Sequence, residues 1–317
     1  MLNRRFLMTI GAAAAALPSV TVAQSSSSTI TVHDLWRPAN PPGGEAVTAK
    51  EETVLRSADP NDTAFLHVRK PWLAIRRPAK PNGSAMLIVP GGGYVRVAVS
   101  KAGGDIDAWL AEQGVTTFTL CYRLPADGWG AGPEVALQDA QRAMRLIRSR
   151  SGELGLDPNR VGVIGFSAGG HVAGLLATRA AKQTYAPVDA VDNFDARPTV
   201  AAMMYPVVTM TEPYAHKGSL KQALGEAPTQ AARDAASIEL HVAADTPPTF
   251  VGGTTDDPVV PMQNAILMYQ ALKAHKIASE LHLWEGATHG FPVRKDGFVL
   301  PWVPTVFDFL QRHGLKG

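Results

Sequence analysis

Four short stretches of this sequence hold residue types that could do chemistry. The first is Gly165-Phe166-Ser167-Ala168-Gly169-Gly170-His171. It contains G-x-S-x-G, which gains meaning when a strand precedes it and a helix follows, because the glycines then allow a sharp turn that leaves the hydroxyl exposed. A serine hydroxyl is a poor nucleophile near neutral pH unless a base accepts its proton, and histidine is the usual base. Of the nine histidines, His289 alone stands in a glycine-bounded loop after a late strand, Gly286-Ala287-Thr288-His289-Gly290-Phe291. His171 lies four residues past Ser167 and is expected to pack or hydrogen-bond locally. The base needs a carboxylate to hold its tautomer and stabilise the imidazolium. Gly253-Thr254-Thr255-Asp256-Asp257-Pro258 offers two. Asp256 is preferred, because Asp257 precedes proline and is expected to shape the turn. The resulting chain order is Ser167, Asp256, His289. The fourth stretch, Pro90-Gly91-Gly92-Gly93-Tyr94, lets backbone N–H groups form a concave cradle. Those of Gly92 and Gly93 can join that of Ala168 as an oxyanion hole, where losing one donor typically costs about 3 kcal/mol. The three glycines fit neither a phosphate loop, which needs G-x-x-x-x-G-K-[ST], nor the G-x-G-x-x-G dinucleotide spacing.

These stretches need a scaffold, and the pattern around them supplies one. Short apolar runs at 85–89 (AMLIV), 115–121 (VTTFTLC) and 161–165 (VGVIG) alternate with helical spacing at 104–113, 134–150 and 168–179. Further strands are predicted at 200–205, 249–253 and 280–284, and helices at 261–275 and 301–313, each with a proline near its start. Near-continuous apolar strands separated by helices imply parallel strands buried on both faces. The expected class is α/β, a mainly parallel doubly wound sheet flanked by helices. Ligands in such sheets bind beyond the carboxyl ends of the strands, which is where all four stretches fall. The segment between Tyr205 and Thr249 reads as a small helical insertion, so a small cap or none is expected.

Composition bounds the rest. The chain has 317 residues, 45% of them apolar, which excludes disorder and allows a sizeable core. Residues 1–23 have a basic head, a short apolar run and a small-residue end, the pattern of an export signal peptide. Asn3-Arg4-Arg5-Phe6-Leu7-Met8 resembles a twin-arginine signal, so a periplasmic or secreted protein is expected. Residues 24–49 read as a tether and lead-in segment, and 50–317 as one catalytic domain. The chain has 30 Lys and Arg against 28 Asp and Glu. Arg4 and Arg5 fall in the leader, so the remainder is balanced, and no general attraction to nucleic acid or anionic lipid is expected. No stable membrane insertion is expected after signal cleavage. The single cysteine, Cys121, excludes an internal disulfide and a cysteine-built metal site. No metal or organic cofactor is implied. Oligomeric state is not legible.

The chain resembles the α/β-hydrolases of the esterase/lipase group, in the bacterial carbohydrate-esterase-like branch often labelled acetyl xylan esterases or sometimes endo-1,4-β-xylanases. The resemblance is carried by PGGGY (90–94), DAWLAEQGVTTFTLCYRLP (107–125), ALQDAQRAMRLIRSR (136–150), DPNRVGVIGFSAGGHVAGLLAT (157–178), TPPTFVGGTTDDPVVP (246–261) and LHLWEGATHGF (281–291). It implies an α/β-hydrolase fold, the Ser167–Asp256–His289 triad and the Gly92, Gly93 and Ala168 hole. Pro90 stands where lipase-like relatives often have His, which favours the polysaccharide-esterase branch.

The expected substrate is a short acyl ester, acetyl above all, on a polysaccharide or oligosaccharide, cleaved through an acyl-enzyme. Trp129, flanked by glycines in the loop after the VTTFTLC strand, could stack on a sugar or pin its loop. Tyr94 could wall the acyl pocket or simply pack. The alternative is a serine exopeptidase of the prolyl-oligopeptidase type, which shares GGTTDDPVV but usually carries a large extra domain. A glycosidase needs two facing carboxyl groups, and no such pair stands at the strand ends. A non-catalytic binding protein would not require all four stretches intact.

Overall fold

The computed structural model describes residues 22–23, 29–59, 62–99 and 105–316. The predicted leader, apart from Val22–Ala23, and the start of the tether lie outside the described residues. In chain order the strands are β1 (Val22–Ala23), β2 (Thr29–Asp34), β3 (Glu52–Leu55), β4 (Thr63–Leu66), β5 (Trp72–Arg76), β6 (Ala85–Val89), β7 (Thr116–Cys121), β8 (Val161–Phe166), β9 (Ala201–Met204), β10 (Thr249–Thr254) and β11 (Ser279–Trp284), followed by the short pair β12 (Arg294–Lys295) and β13 (Phe298–Val299). The helices are α1 (Ile106–Glu112), α2 (Val135–Ser149), α3 (Ser151–Leu154), α4 (Ala168–Arg179), α5 (Lys217–Leu224), α6 (Gln230–Ala236), α7 (Gln263–Ala274) and α8 (Trp302–Leu310).

Nine strands form one sheet in the order β1-β2-β5-β7-β6-β8-β9-β10-β11. From β7 to β11 the pairing is parallel, while β5, β2 and β1 add on as antiparallel neighbours. Residues 29–34 were expected to lie in a tether. They instead form β2 and pair with β5 through Ile30↔Arg76 to Asp34↔Trp72. Thr29-Ile30-Thr31-Val32-His33 alternates polar and apolar residues, the period of a strand, but over only five residues beside a serine-rich stretch.

Period-2 alternation explains why the central strands are apolar throughout. Along β6, Ala85, Leu87 and Val89 face the core that holds Leu137 and Met144 of α2, Val172 and Leu176 of α4, and Met268 of α7. Met86 and Ile88 face the other core, with Trp109 of α1 and Trp302, Val303 and Phe307 of α8. Strand β8 divides in the same way, Val161 and Val163 to one side, Ile164 and Phe166 to the other.

One polar contact is sealed in the first of these cores. Arg123, just past β7, and Asp139 of α2 are both fully buried at 2.8 Å. Asp139 also accepts from the Arg123 backbone N–H at 2.8 Å and from the Trp36 indole at 2.7 Å. This carboxylate therefore clamps the end of β7 to a flanking helix. Breaking a buried pair by removing one charge strands the other and costs about 3–5 kcal/mol. Asp139→Asn should lower unfolding stability by about that amount, read as a fall in the urea midpoint at unchanged slope.

Candidate active site

Five neighbouring strands, β6, β8, β9, β10 and β11, deliver the site from their carboxyl ends. Ser167 sits between β8 and α4 at φ 56° and ψ −121°, a conformation that costs a non-glycine residue of order 1–3 kcal/mol. Three backbone bonds hold it. Its N–H donates to Met204 O at 3.0 Å, and its carbonyl accepts from His171 N–H at 3.2 Å and Val207 N–H at 3.1 Å. The turn also requires Gly169, since a Cβ there would lie 2.2 Å from Val89 O and 2.3 Å from Pro90 O.

His289 reaches Ser167 across the top of the sheet. Its Nε2 lies 2.8 Å from Ser167 Oγ, and its Nδ1 lies 2.7 Å from an oxygen of Asp257. The expected acid was Asp256, and the structure corrects it. Asp256 instead accepts the Gly286 backbone N–H at 2.8 Å and so ties its loop to the one carrying His289. Asp257 does shape the turn after Pro258, as expected, because its Oδ1 accepts from Val259 and Val260 N–H at 2.8 and 2.9 Å. That work occupies one oxygen, and Oδ2 remains for the imidazole. The available signal was that an aspartate in such a turn spends only half its acceptor capacity.

Burial pushes the Asp257 carboxyl upward. Bonds from His289, Val260 and Val259 more than offset this and leave it below the usual carboxylate range. An ionised carboxylate only accepts, so Nδ1 of His289 carries the proton and Nε2 is free to accept from the Ser167 hydroxyl. Tyr205 packs edge-on against the imidazole with ring centroids 4.9 Å apart.

A pocket of about 390 Å³ opens on Ser167 and His289 and is lined also by Gly91, Gly92 and Gly93. Gly92 has φ 140°, and a Cβ there would come within 2.0 Å of Arg96 O. Arg56, Arg96, Tyr205 and His216 line the same pocket, none of them singled out in the sequence. His216 caps α5 by accepting Ser219 N–H at Nδ1. Burial lowers its pKa and the nearby His289 adds to this, against a raising effect of Asp257.

Tyr94 and Trp129 are not among the pocket's lining residues, which corrects both expected substrate contacts. Tyr94 is buried and its hydroxyl bonds His171 Nδ1 at 2.7 Å. Trp129 is buried beside Val47 and Val135, with the Arg123 guanidinium 4.8 Å from its ring centroid. It pins its loop to the domain. Among the described residues, no group of three or more His, Cys, Asp and Glu side chains could hold a metal ion, and no helix is long and apolar enough to cross a membrane.

His171 bonds locally, as expected. Its Nε2–H donates to Ala236 O at 2.7 Å, which leaves Nδ1 to accept from Tyr94. Desolvation holds its pKa down to about 4, against the raising effect of the Ala236 bond. The folded state thus binds fewer protons than the unfolded one between pH 6.5 and about 4, and stability falls as pH drops through that window. The loss attributable to His171 should reach about 3 kcal/mol. Unfolding midpoints from pH 7.5 to 4.5 should fall less steeply for His171→Gln than for the parent.

The family model BD-FAE matches residues 73–272. The chain is 28% identical over 254 residues to an acetylxylan esterase of Xylanibacter ruminicola, covering 78% of this chain and 47% of that protein. It is 32% identical over 224 residues to endo-1,4-beta-xylanase B of Butyrivibrio fibrisolvens, covering 68% of this chain and 34% of that protein. The chain therefore spans less than half the length of these two relatives. Among solved structures it is similar to an acetyl ester-xyloside bifunctional hydrolase from Caldicellulosiruptor lactoaceticus, with TM-score 0.69 and 31% identity over 88% of this chain and all of that one.

Proposed function

The chain belongs to the BD-FAE family and has the α/β-hydrolase fold, and from that premise we propose that it is a serine esterase acting on short acyl esters of saccharides, acetyl esters above all. One observation carries this reading: the unbroken chain of hydrogen bonds from Ser167 Oγ through His289 to Asp257, opening on a glycine-lined pocket. Ser167 Oγ attacks the ester carbonyl and His289 Nε2 takes its proton. The N–H groups of Gly92, Gly93 and Ala168 receive the oxyanion. The imidazolium, stabilised by Asp257, protonates the leaving alcohol. Water then attacks the acyl-enzyme, again through His289, and releases the short acid.

The acyl preference is supported by the relatives named for acetyl esters. They lend no support to the exopeptidase alternative. Glycoside cleavage would need two facing carboxyl groups, and no Asp or Glu is among the lining residues of the described pocket. Export through the twin-arginine route remains part of the proposal and is supported by Arg4 and Arg5 ahead of the apolar run.

Ser167→Ala should lower release of p-nitrophenol from its acetate ester by at least about a thousandfold in a protein with unchanged circular dichroism. Persistent turnover would overturn the mechanism. The two aspartates should separate cleanly. Asp257→Asn should lose about 10⁴-fold in kcat, as expected when the imidazole is left in the wrong tautomer. Asp256→Ala only loosens the histidine loop and should lose less than about a hundredfold.

A further inference from the structure

The described lining of the pocket in front of Ser167 holds two arginines and two histidines and no acidic residue. The carboxylate chemically closest to the serine, Asp257, is only 2% exposed and stands behind His289. The pocket therefore presents positive charge to whatever enters it.

Arg96 is held there by a rigid loop. After Gly92 the chain turns back, with Val95 and Arg96 N–H reaching Gly92 O at 3.1 and 3.3 Å and Ala98 N–H reaching Gly91 O at 2.9 Å. Reciprocal bonds between Phe65 and Val97, at 2.9 and 2.8 Å, stitch the turn to β4. The Arg96 Cγ consequently lies 3.2 Å from where a Cβ on Gly92 would stand. Its aliphatic stem crosses the edge of the glycine loop, and the guanidinium is exposed with no ion-pair partner among the described residues.

Arg56 adds a second cation. It is paired only loosely with Asp62, at 3.4 Å, and 30% of its side chain is exposed. It also borders an adjoining pocket that holds Asp105 and Arg294, and Arg294 is paired with Glu112. The remaining titratable lining groups are His216, kept neutral as the cap of α5, and His289.

An unpaired guanidinium on a stem held at the edge of the site is suited to a planar anion, because its forked donors match a carboxylate in a bidentate pair. We propose that the ester taken by this pocket carries a carboxylate close to its acyl group, as an acetylated uronic acid residue does, with Arg96 as the docking cation and Arg56 beside it. This rests on the esterase reading above and adds a charge to its substrate. A neutral acetylated sugar leaves Arg96 with water alone, whereas a uronate gains a charge-assisted pair in a partly enclosed site.

The test compares acetate release from a monoacetylated glucuronic acid and from its methyl ester, which differ in that one charge, with p-nitrophenyl acetate as a neutral reference. The parent protein should show at least about a tenfold higher kcat/KM on the acid, shrinking as salt is raised. Arg96→Gln should bring the ratio of the two sugar substrates close to one, and Arg96→Lys, which keeps the charge without the fork, should restore part of it. Equal rates on acid and methyl ester in the parent, or an acid preference that survives Arg96→Gln, overturns the charge proposal while the esterase reading stands. So does turnover of p-nitrophenyl acetate with neither sugar cleaved. No turnover of any of the three overturns the esterase reading and this proposal with it.

Discussion

Everything in the site depends on one disfavoured backbone conformation. Ser167 at φ 56° is not a geometry the residue would choose, and the surrounding structure over-determines it. Met204 O and the N–H groups of His171 and Val207 fix its peptide groups from two directions, so β8, β9 and α4 must all be in place before the hydroxyl points into the pocket. Gly169 is part of the same constraint, because the start of α4 passes almost in contact with the end of β6. That close passage sets the glycine loop after β6 against the turn that carries Ser167. Gly92 and Gly93 follow β6, Ala168 follows Ser167, and the two segments can approach only where no side chain intervenes. The buried Tyr94–His171 bond ties the glycine loop to α4 from behind, so the loop and the turn are held as one unit.

The sheet and its flanking helices were legible in the sequence because burial on both faces leaves an uninterrupted apolar signature. The runs at 85–89 and 168–179 coincide with β6 and α4, and the other predicted elements from β7 to α8 differ by one to three residues at their ends. Legibility faded where backbone geometry, not side-chain pattern, decides the outcome. β2 pairs through its main chain at the antiparallel margin of the sheet, where no apolar run is demanded. The two aspartates show the same limit at higher resolution. Sequence placed a carboxylate after β10, but choosing between adjacent residues required knowing that Asp257 could bond Val259 and Val260 with one oxygen and His289 with the other. Proline at 258 signalled the turn correctly and suggested wrongly that the turn exhausted the side chain. Trp129 and Tyr94 were ambiguous for a related reason. An aromatic in a glycine-rich loop has the same local sequence whether it faces outward or is folded under, and only Val47 and His171, remote in the chain, decide that both are folded under.

The placement of charge follows a consistent logic. A serine hydrolase needs a carboxylate near its histidine, yet a negative charge close to the developing oxyanion would oppose the reaction. Here the carboxylate is buried, and its oxygens are occupied by two backbone N–H groups and the imidazole. Its field is directed at the imidazole, where the proposed mechanism would place an imidazolium, and the ring stands between it and the pocket. The open side is lined by glycines and arginines. In the proposed mechanism, a proton moving from Ser167 to His289 would separate charge along an axis already polarised to receive it, with the anion on the glycine and arginine side and the cation against Asp257. Such preorganised polarity needs little rearrangement as charge develops. It also explains why the neighbouring Asp256 is held away from the imidazole on a backbone N–H. A second carboxylate beside His289 would raise the cost of returning the proton to the leaving alcohol without adding any orientation that Asp257 does not already supply.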